Sequence, residues 1–338
     1  MLPDLRDFHM PAEWEPHERT FLSWPVKSSV NFPENFDGIC RGYTETIRAV
    51  AEFEPVTVLA NPGDALPPLG RNVETLPLPH DDAWARDNGP TFLRGRSGAL
   101  AAVNWRFNAW GGKYPQFEQD DLLAPRLLER LGVPRFDAPL VMEGGSFHTD
   151  GDGTLLTTKQ CLLNKNRNPS LSKTEIEALL KQYLGVQKII WLPRGLDGDE
   201  TDGHVDNLAC FAAPGRVLLQ TCGDPADENN AVTNEALAVL SNERDARGRR
   251  FEIARIPQPP RREYRGVRLT LSYLNFYLPG GGVVLPVFGG DAADADARAE
   301  KLIGQAFPGR RVRTVDGMGL AAEGGNVHCV TQQMPARG

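Results

Sequence analysis

The chain has 338 residues, 41% of them apolar and 24% charged, with a formal net charge of −7. That balance fits a globular protein and excludes a disordered one. It also argues against a nucleic-acid reader, because no run of Lys and Arg is long enough, and the basic stretch 244–250 is interrupted by Asp245 and Gly248. In chain order, apolar periodicity predicts a helix over 40–53 and a strand over 56–60. A helix over 122–131 and a strand over 155–158 follow. Next comes a helix over 172–184, with Ser172 as its cap and Glu175 three residues on. Strands at 188–192 and 216–220, a helix at 228–240, strands at 251–256 and 282–287, a helix at 292–307 and a strand at 311–315 complete the series. Strands alternating with helices indicate an α/β fold. The 34 Gly and 27 Pro residues predict short elements and many turns. No Gly/Ser/Pro-rich linker divides the chain. Residues 257–260 come nearest but lie in a strand-rich region, so 1–338 reads as one domain.

Several classes drop out on motif grounds. Neither a P-loop nor a dinucleotide fingerprint occurs. No apolar run approaches membrane-spanning length. The N-terminal MLPDLRDFHM has acidic residues and no apolar core of a signal peptide. Five cysteines, an odd number without a CxxC pair, argue against a disulfide framework and a zinc ribbon. A reducing compartment, hence the cytoplasm, is the expectation. Cys40, Cys161, Cys210 and Cys222 read as small buried apolar residues.

An octet occurs twice. Residues 143–150 read EGGSFHTD and residues 323–330 read EGGNVHCV. Both open Glu-Gly-Gly and both carry His at the sixth position. At the seventh, Thr149 stands in one and Cys329 in the other. This repetition suggests a pseudo-symmetric scaffold of strand-and-turn units. Paired glycines allow a sharp turn or close backbone approach, and Cys329 beyond such a turn is a candidate nucleophile.

Polar residues gather in four stretches that read as loops after strands: 84–90, 142–154, 198–207 and 323–329. In an extended segment His204 and Asp206 would point the same way, because side chains alternate with period two. An imidazole and a carboxylate on one face suit proton transfer and cation binding. Taken singly, Asp87, Glu143 and the His204/Asp206 pair also read as surface turns or ion pairs. A zinc set of His204 and Asp206 with His148 or His328 matches no zinc spacing signature. A Cys, a His and several carboxylates suit covalent catalysis better. Carboxylates around a thiol point to a planar cation, most naturally a guanidinium, which carboxylates match in bidentate geometry.

Longer stretches carry a resemblance: MPAEWEPHERTFLSWP, WARDNGPTFL, FNAWGGKY, EGGSFHTDGDGTLLTTKQCLLNKNRNP, GLDGDETDGHVDNLACF, SYLNFYLPGGGVVLPVFG and EGGNVHCVTQQMPA. They span nearly the whole chain. In them the sequence resembles the agmatine deiminases, in the peptidylarginine-deiminase-like branch of the guanidino-group-modifying superfamily. The resemblance implies an α/β, five-bladed propeller of pseudo-repeated ββαβ units around a central site. It implies hydrolysis of agmatine to N-carbamoylputrescine and ammonia, on a route to putrescine, with no cofactor and no metal. Its only implied partner is a small cationic guanidino substrate, with no nucleic acid and no membrane; a homo-oligomer stays open.

Position by position, the resemblance implies Cys329 as nucleophile and His204 as general acid/base. Asp87 and Asp206 match the carboxylates that grip the guanidinium, and Glu143 the one that orients the histidine. Glu200 stands where an acidic residue meets the substrate's free amine. Trp84 and Trp110 line the apolar stem or serve ordinary core packing. The chain departs from the pattern at Glu323, where relatives commonly have Ala or Gly, and in a short 257–269 segment. The extra carboxylate could raise the thiol's pKa, contact substrate or point outward. Alternatives are deimination of free or peptidyl arginine, amidinotransfer through the same intermediate, and a silent guanidino-compound binder.

Overall fold

The computed structural model describes residues 4–29 and 35–338. One unit recurs: an antiparallel strand pair, a helix, and a third strand returning parallel to the second. Thr91–Gly95 and Leu100–Arg106, helix Leu123–Leu131 and strand Arg135–Val141 form one such unit. Phe147–Thr149, Thr154–Thr158, helix Lys173–Leu184 and Lys188–Leu192 form the next. Ala209–Ala213, Arg216–Thr221, helix Glu228–Asn242 and Glu252–Pro257 repeat it. In the following unit the first strand shrinks to a Tyr277–Val284 bridge, ahead of Gly282–Val287, helix Ala293–Ala306 and Arg311–Asp316. The remaining unit is assembled from distant parts of the chain. Strand Gln332–Pro335 lies antiparallel to His17–Ser23, which runs through helix Phe36–Ala51 to Val56–Ala60 and on to Val73–Pro77. Five such units are consistent with the five-bladed α/β propeller.

Every predicted strand and helix is present, three strands to the residue and the other elements with ends displaced by up to four residues. The helix Lys173–Leu184 shows why. Ser172 Oγ accepts from the Glu175 amide at 3.3 Å and the Glu175 carboxylate accepts from the Ser172 amide at 2.7 Å, closing a capping box. Gly185, at φ 69°, ends it in the left-handed region. Ile176, Leu180 and Leu184, four residues apart, bury one stripe against Leu155 and Phe136 of neighbouring sheets. Each such side chain is worth about 1.5–3 kcal/mol of burial.

The third strand of each unit ends in a connection that leads to the next. These connections carry the polar clusters, so the repeated topology brings side chains distant in sequence to one place. One connection holds a buried acidic patch. Asp120 Oδ1 accepts from the amides of Asp81 and Asp82 at 2.8 and 3.1 Å. Burial pushes the Asp120 carboxyl up to about 7, above the unfolded-state value. The folded state therefore holds this proton more tightly, a contribution complete below pH ~4 and lost as pH rises through 7. Asp120→Asn keeps the acceptor oxygen and removes the charge. We expect its advantage over the wild type in denaturant melts to grow by about 2–3 kcal/mol between pH 5 and pH 8. A gain of equal size at both pH values would contradict this account.

Candidate active site

Asp87 lies on the helical turn Ala85–Asn88. It is buried, with both oxygens engaged. Oδ1 accepts from the Gly145 amide at 2.9 Å and Oδ2 from the Trp110 indole at 2.8 Å. Trp110 is held at φ 52°, ψ 42°, beside Ala109, also at positive φ. Two consecutive non-glycine residues in the left-handed region are costly and persist where surroundings enforce them. Here Asn108 supports the turn, accepting from the Gly111 amide at 2.9 Å and donating to the Asn166 carbonyl at 2.9 Å.

Glu143 follows the strand Arg135–Val141 and is fully buried. Its Oε1 accepts from Arg167 Nε at 2.7 Å in a pair with no exposure on either side. Arg167 is fixed in turn by Asp202 Oδ2 at 2.5 Å and the Thr201 carbonyl at 2.9 Å. The other oxygen, Oε2, faces His204 Nε2 at 3.7 Å and accepts from Cys161 Sγ at 3.9 Å. Burial alone would raise the Glu143 carboxyl, but His204 and Arg167 outweigh it and hold the carboxylate ionised.

His204 precedes a short 3-10 turn, Val205–Asn207. The segment is not extended, so period two is not what aligns His204 with Asp206; the turn places both on the site side. His204 Nδ1 lies 3.8 Å from Asp87 Oδ1, and neither ring nitrogen makes a hydrogen bond among the described residues. Burial opposes its charge, yet Asp87, Cys161 and Glu143 keep it protonated well above the ordinary histidine value. Asp206 Oδ2 accepts from His328 Nδ1 at 2.8 Å, while Oδ1 has no partner among the described residues. Despite burial, the His328 contact holds Asp206 below the usual carboxylate range.

Cys329 sits on a helical turn, Val327–Val330, started by Asn326. The two octets therefore diverge in structure. His148 lies on a strand, whereas His328 and Cys329 lie on a helical turn. The paired glycines serve the same end in both copies, which is close approach. A Cβ on Gly145 would stand 2.6 Å from His204 Nδ1 and 3.0 Å from Asp87 Oδ1. One on Gly325 would stand 2.3 Å from the Trp84 ring. Cys329 Sγ is 3.7 Å from Asp206 Oδ2. Burial, then Asp206 and Asp87, push its thiol well above the ordinary value, so it rests protonated.

The structure gathers Cys329, His204, Asp206, Asp87 and Glu143 around one point. A cavity of about 340 Å³ opens above them, lined by Trp84, Asp87, Trp110, Tyr114, Glu200 and Cys329 among others. Trp84 and Trp110 also belong to a large apolar core, so the alternatives of lining and packing both hold. Glu200 accepts from Tyr114 at 3.1 Å at the far end. Glu323 lines a neighbouring groove that shares Glu200, Tyr114 and Gly324 with the cavity. It lines the groove rather than the cavity above Cys329. The zinc set weighed from sequence does not form, because His328 turns to Asp206 and Glu13, and His148 to the Phe211 amide. Cys161 is buried as expected, yet it touches Glu143 and so does more than fill space.

Three residues escaped the sequence reading. Glu13 accepts from His328 Nε2 at 3.0 Å and so holds the ring against Asp206. Arg167 holds Glu143. Asn275 comes from the connection after Glu252–Pro257; its Oδ1 accepts from the His328 amide at 3.0 Å and its Nδ2 lies 3.2 Å from Cys329 Sγ. With it, each of the five connections supplies a side chain to the site. The stretches MPAEWEPHE and SYLNF contained two of them, but without spacing that marks a role.

Fold and site together define an α/β scaffold that presents a thiol, an imidazole and carboxylates at the meeting point of repeated units. The chain belongs to the Porphyromonas-type peptidyl-arginine deiminase family, whose model matches residues 9–335. A relative from Legionella pneumophila is 47% identical over 337 residues, covering 98% of this chain and 96% of its own. The agmatine deiminase of Stutzerimonas stutzeri is 42% identical over 356 residues, covering 97% and 96%. The solved agmatine deiminase of Enterococcus faecalis superposes with a TM-score of 0.91 at 33% identity, covering 100% of this chain and 98% of its own. No helix among the described residues is long and apolar enough to cross a membrane.

Proposed function

We propose that the protein hydrolyses agmatine to N-carbamoylputrescine and ammonia, with the whole chain acting as one catalytic domain. The observation that carries this reading is the order of groups along the cavity. At the floor, Asp87 lines the cavity with Cys329, and Asp206 lies behind them with its Oδ2 3.7 Å from the sulfur and its Oδ1 without a partner among the described residues. Trp84 and Trp110 form apolar walls, and Glu200 lies at the far end. A planar cation, an apolar stem and a terminal ammonium fit that order. Full-length similarity to named agmatine deiminases supports the same substrate.

The chemistry follows from the resting charges. Cys329 starts as a thiol because two carboxylates and burial disfavour thiolate. A bound guanidinium reverses that field, and the thiol proton leaves to solvent as substrate binds, to be balanced by protonation of the ammonia once it is released. The sulfur attacks the central guanidinium carbon, forming a C–S bond and a neutral tetrahedral adduct. His204, already an imidazolium, protonates one amino nitrogen. The C–N bond breaks, ammonia departs, and a cationic thiouronium remains. Neutral His204 then takes a proton from water, and the hydroxide adds to the same carbon. Collapse expels the thiolate, and the hydroxyl proton of the departing ureido product restores the thiol. Dividing one difficult hydrolysis into two steps is the gain of covalent catalysis. Its five cysteines, all unpaired, suit a reducing compartment, and we place the enzyme in the cytoplasm.

The test is ammonia release from agmatine and from free arginine, with wild type and Glu200→Gln. We expect turnover of agmatine and little of arginine. The variant should raise the agmatine KM about fivefold with little change in kcat, the worth of one partly exposed ion pair. Preference for arginine would replace this reading with the arginine-deiminase alternative.

A further inference from the structure

Behind the catalytic imidazole lies a buried thiol, Cys161, that the mechanism leaves unused and that clusters with two groups of the site. Cys161 Sγ, His204 Nε2 and Glu143 Oε2 all lie within 4.8 Å of one another, and all three side chains are buried. Cys161 and His204 stand 3.9 and 3.7 Å from the same carboxylate oxygen. His204 Nε2 makes no hydrogen bond among the described residues, although it is aimed into this cluster. Arg167 engages only the opposite oxygen, Oε1, leaving Oε2 free as a ligand.

We propose that Cys161, His204 and Glu143 form a binding site for a zinc-class divalent cation whose occupation shuts the active site down. The donor set is one thiolate, one imidazole and one carboxylate, which suits a borderline-soft ion and disfavours magnesium or calcium. Zinc bonds of about 2.0–2.3 Å place neighbouring tetrahedral donors about 3.3–3.7 Å apart. The 3.9 and 3.7 Å separations need to contract by only tenths of an ångström, and the one between Cys161 and His204, within 4.8 Å, by up to about 1 Å. Three protein ligands leave the fourth position to water. The thiol proton and the imidazolium proton on Nε2 are both released to solvent as the metal bonds form, and the ion's two charges are met by one thiolate and one carboxylate.

Inhibition follows from which nitrogen is taken. Nε2 faces the cluster and Nδ1 faces Asp87, on the cavity side. A metal on Nε2 leaves the other nitrogen as a fixed N–H. Such a ring can neither deliver a further proton as an imidazolium nor accept one from water. Cys329 itself stays uncoordinated. This distinguishes the site from a metal captured by the nucleophile, which lies among Asp206 and Asn275 instead.

Binding is read without turnover, so it stands or falls apart from the substrate assignment. Metal-free wild type, Cys329→Ser and Cys161→Ser are titrated with Co²⁺, a spectroscopic substitute for zinc. We expect a near-ultraviolet thiolate-to-cobalt band of similar strength in wild type and Cys329→Ser, and none in Cys161→Ser. Should the serine variant not fold, Cys161→Ala carries the same expectation. In wild type, Zn²⁺ should suppress ammonia release from agmatine, and a chelator should restore it. The zinc concentration needed should rise at least about tenfold when Cys161 is replaced, since losing even a group that only orients a ligand costs about 10–100-fold in metal affinity. Metal-loaded wild type should still alkylate at Cys329. A missing cobalt band in wild type would overturn the proposal. So would a band that disappears in Cys329→Ser and persists in Cys161→Ser.

Discussion

Cys329→Ser should fold like the wild type and lose agmatine hydrolysis by a factor on the order of 10⁴ or more. The substitution keeps the size of the side chain and replaces sulfur by a far poorer nucleophile. The pocket gives serine no help, because no neutral base stands ready: His204 is held protonated by Asp87, Cys161 and Glu143. Substrate binding should survive, since the carboxylates, the tryptophans and Glu200 are untouched. Equilibrium binding of agmatine to the variant, beside its ammonia release, separates the two effects. Residual hydrolysis within tenfold of wild type would remove Cys329 from the reaction.

Asp206→Asn should produce two changes of opposite direction. Agmatine kcat/KM should fall by a factor on the order of 10³, because a charge-assisted contact to the guanidinium is lost and the acceptor facing His328 loses its charge. Over the same substitution, alkylation of Cys329 by neutral iodoacetamide at pH 8 should become faster. Asp206 is the leading neighbouring charge that pushes this thiol upward, so removing it lets thiolate form at lower pH. A variant merely loosened at the site would show slower hydrolysis without that acceleration. Slower alkylation together with slower hydrolysis would contradict the electrostatic account.

Much of the fold was legible because helices and parallel strands carry their own pattern. The strands at 56–60, 188–192 and 282–287 match the structure to the residue, being short, largely apolar runs with most of their side chains buried. The outer strands of the hairpins were not seen, and neither were His17–Ser23, Val73–Pro77, Leu100–Arg106 and Arg135–Val141. Phe147–Thr149 has three residues and Gln332–Pro335 is largely polar, so pairing, and not composition, makes them strands. In the site, the residues with conspicuous chemistry came together: the thiol, the histidine and the acidic groups. Their supports were hidden by distance. Glu13 meets His328 across 315 positions and Asn275 meets Cys329 across 54. No local spacing encodes such meetings. The alignment of His204 with Asp206 was anticipated from an extended backbone and arises instead from a 3-10 turn.

One unit is completed only when Gln332–Pro335 zips onto His17–Ser23. Only Val330 and Thr331 stand between Cys329 and that closing strand. Pairings between such remote segments form slowly, since the long loop must close before any contact rewards it. The reactive sulfur therefore arrives late in folding, with the same event that seals the ring. A partly assembled chain would hold Asp87, Glu143 and His204 in their units and yet be chemically inert. In reverse, fraying of this one seam would silence the protein while the other four units stay intact, so heat should end activity before it melts the bulk of the secondary structure.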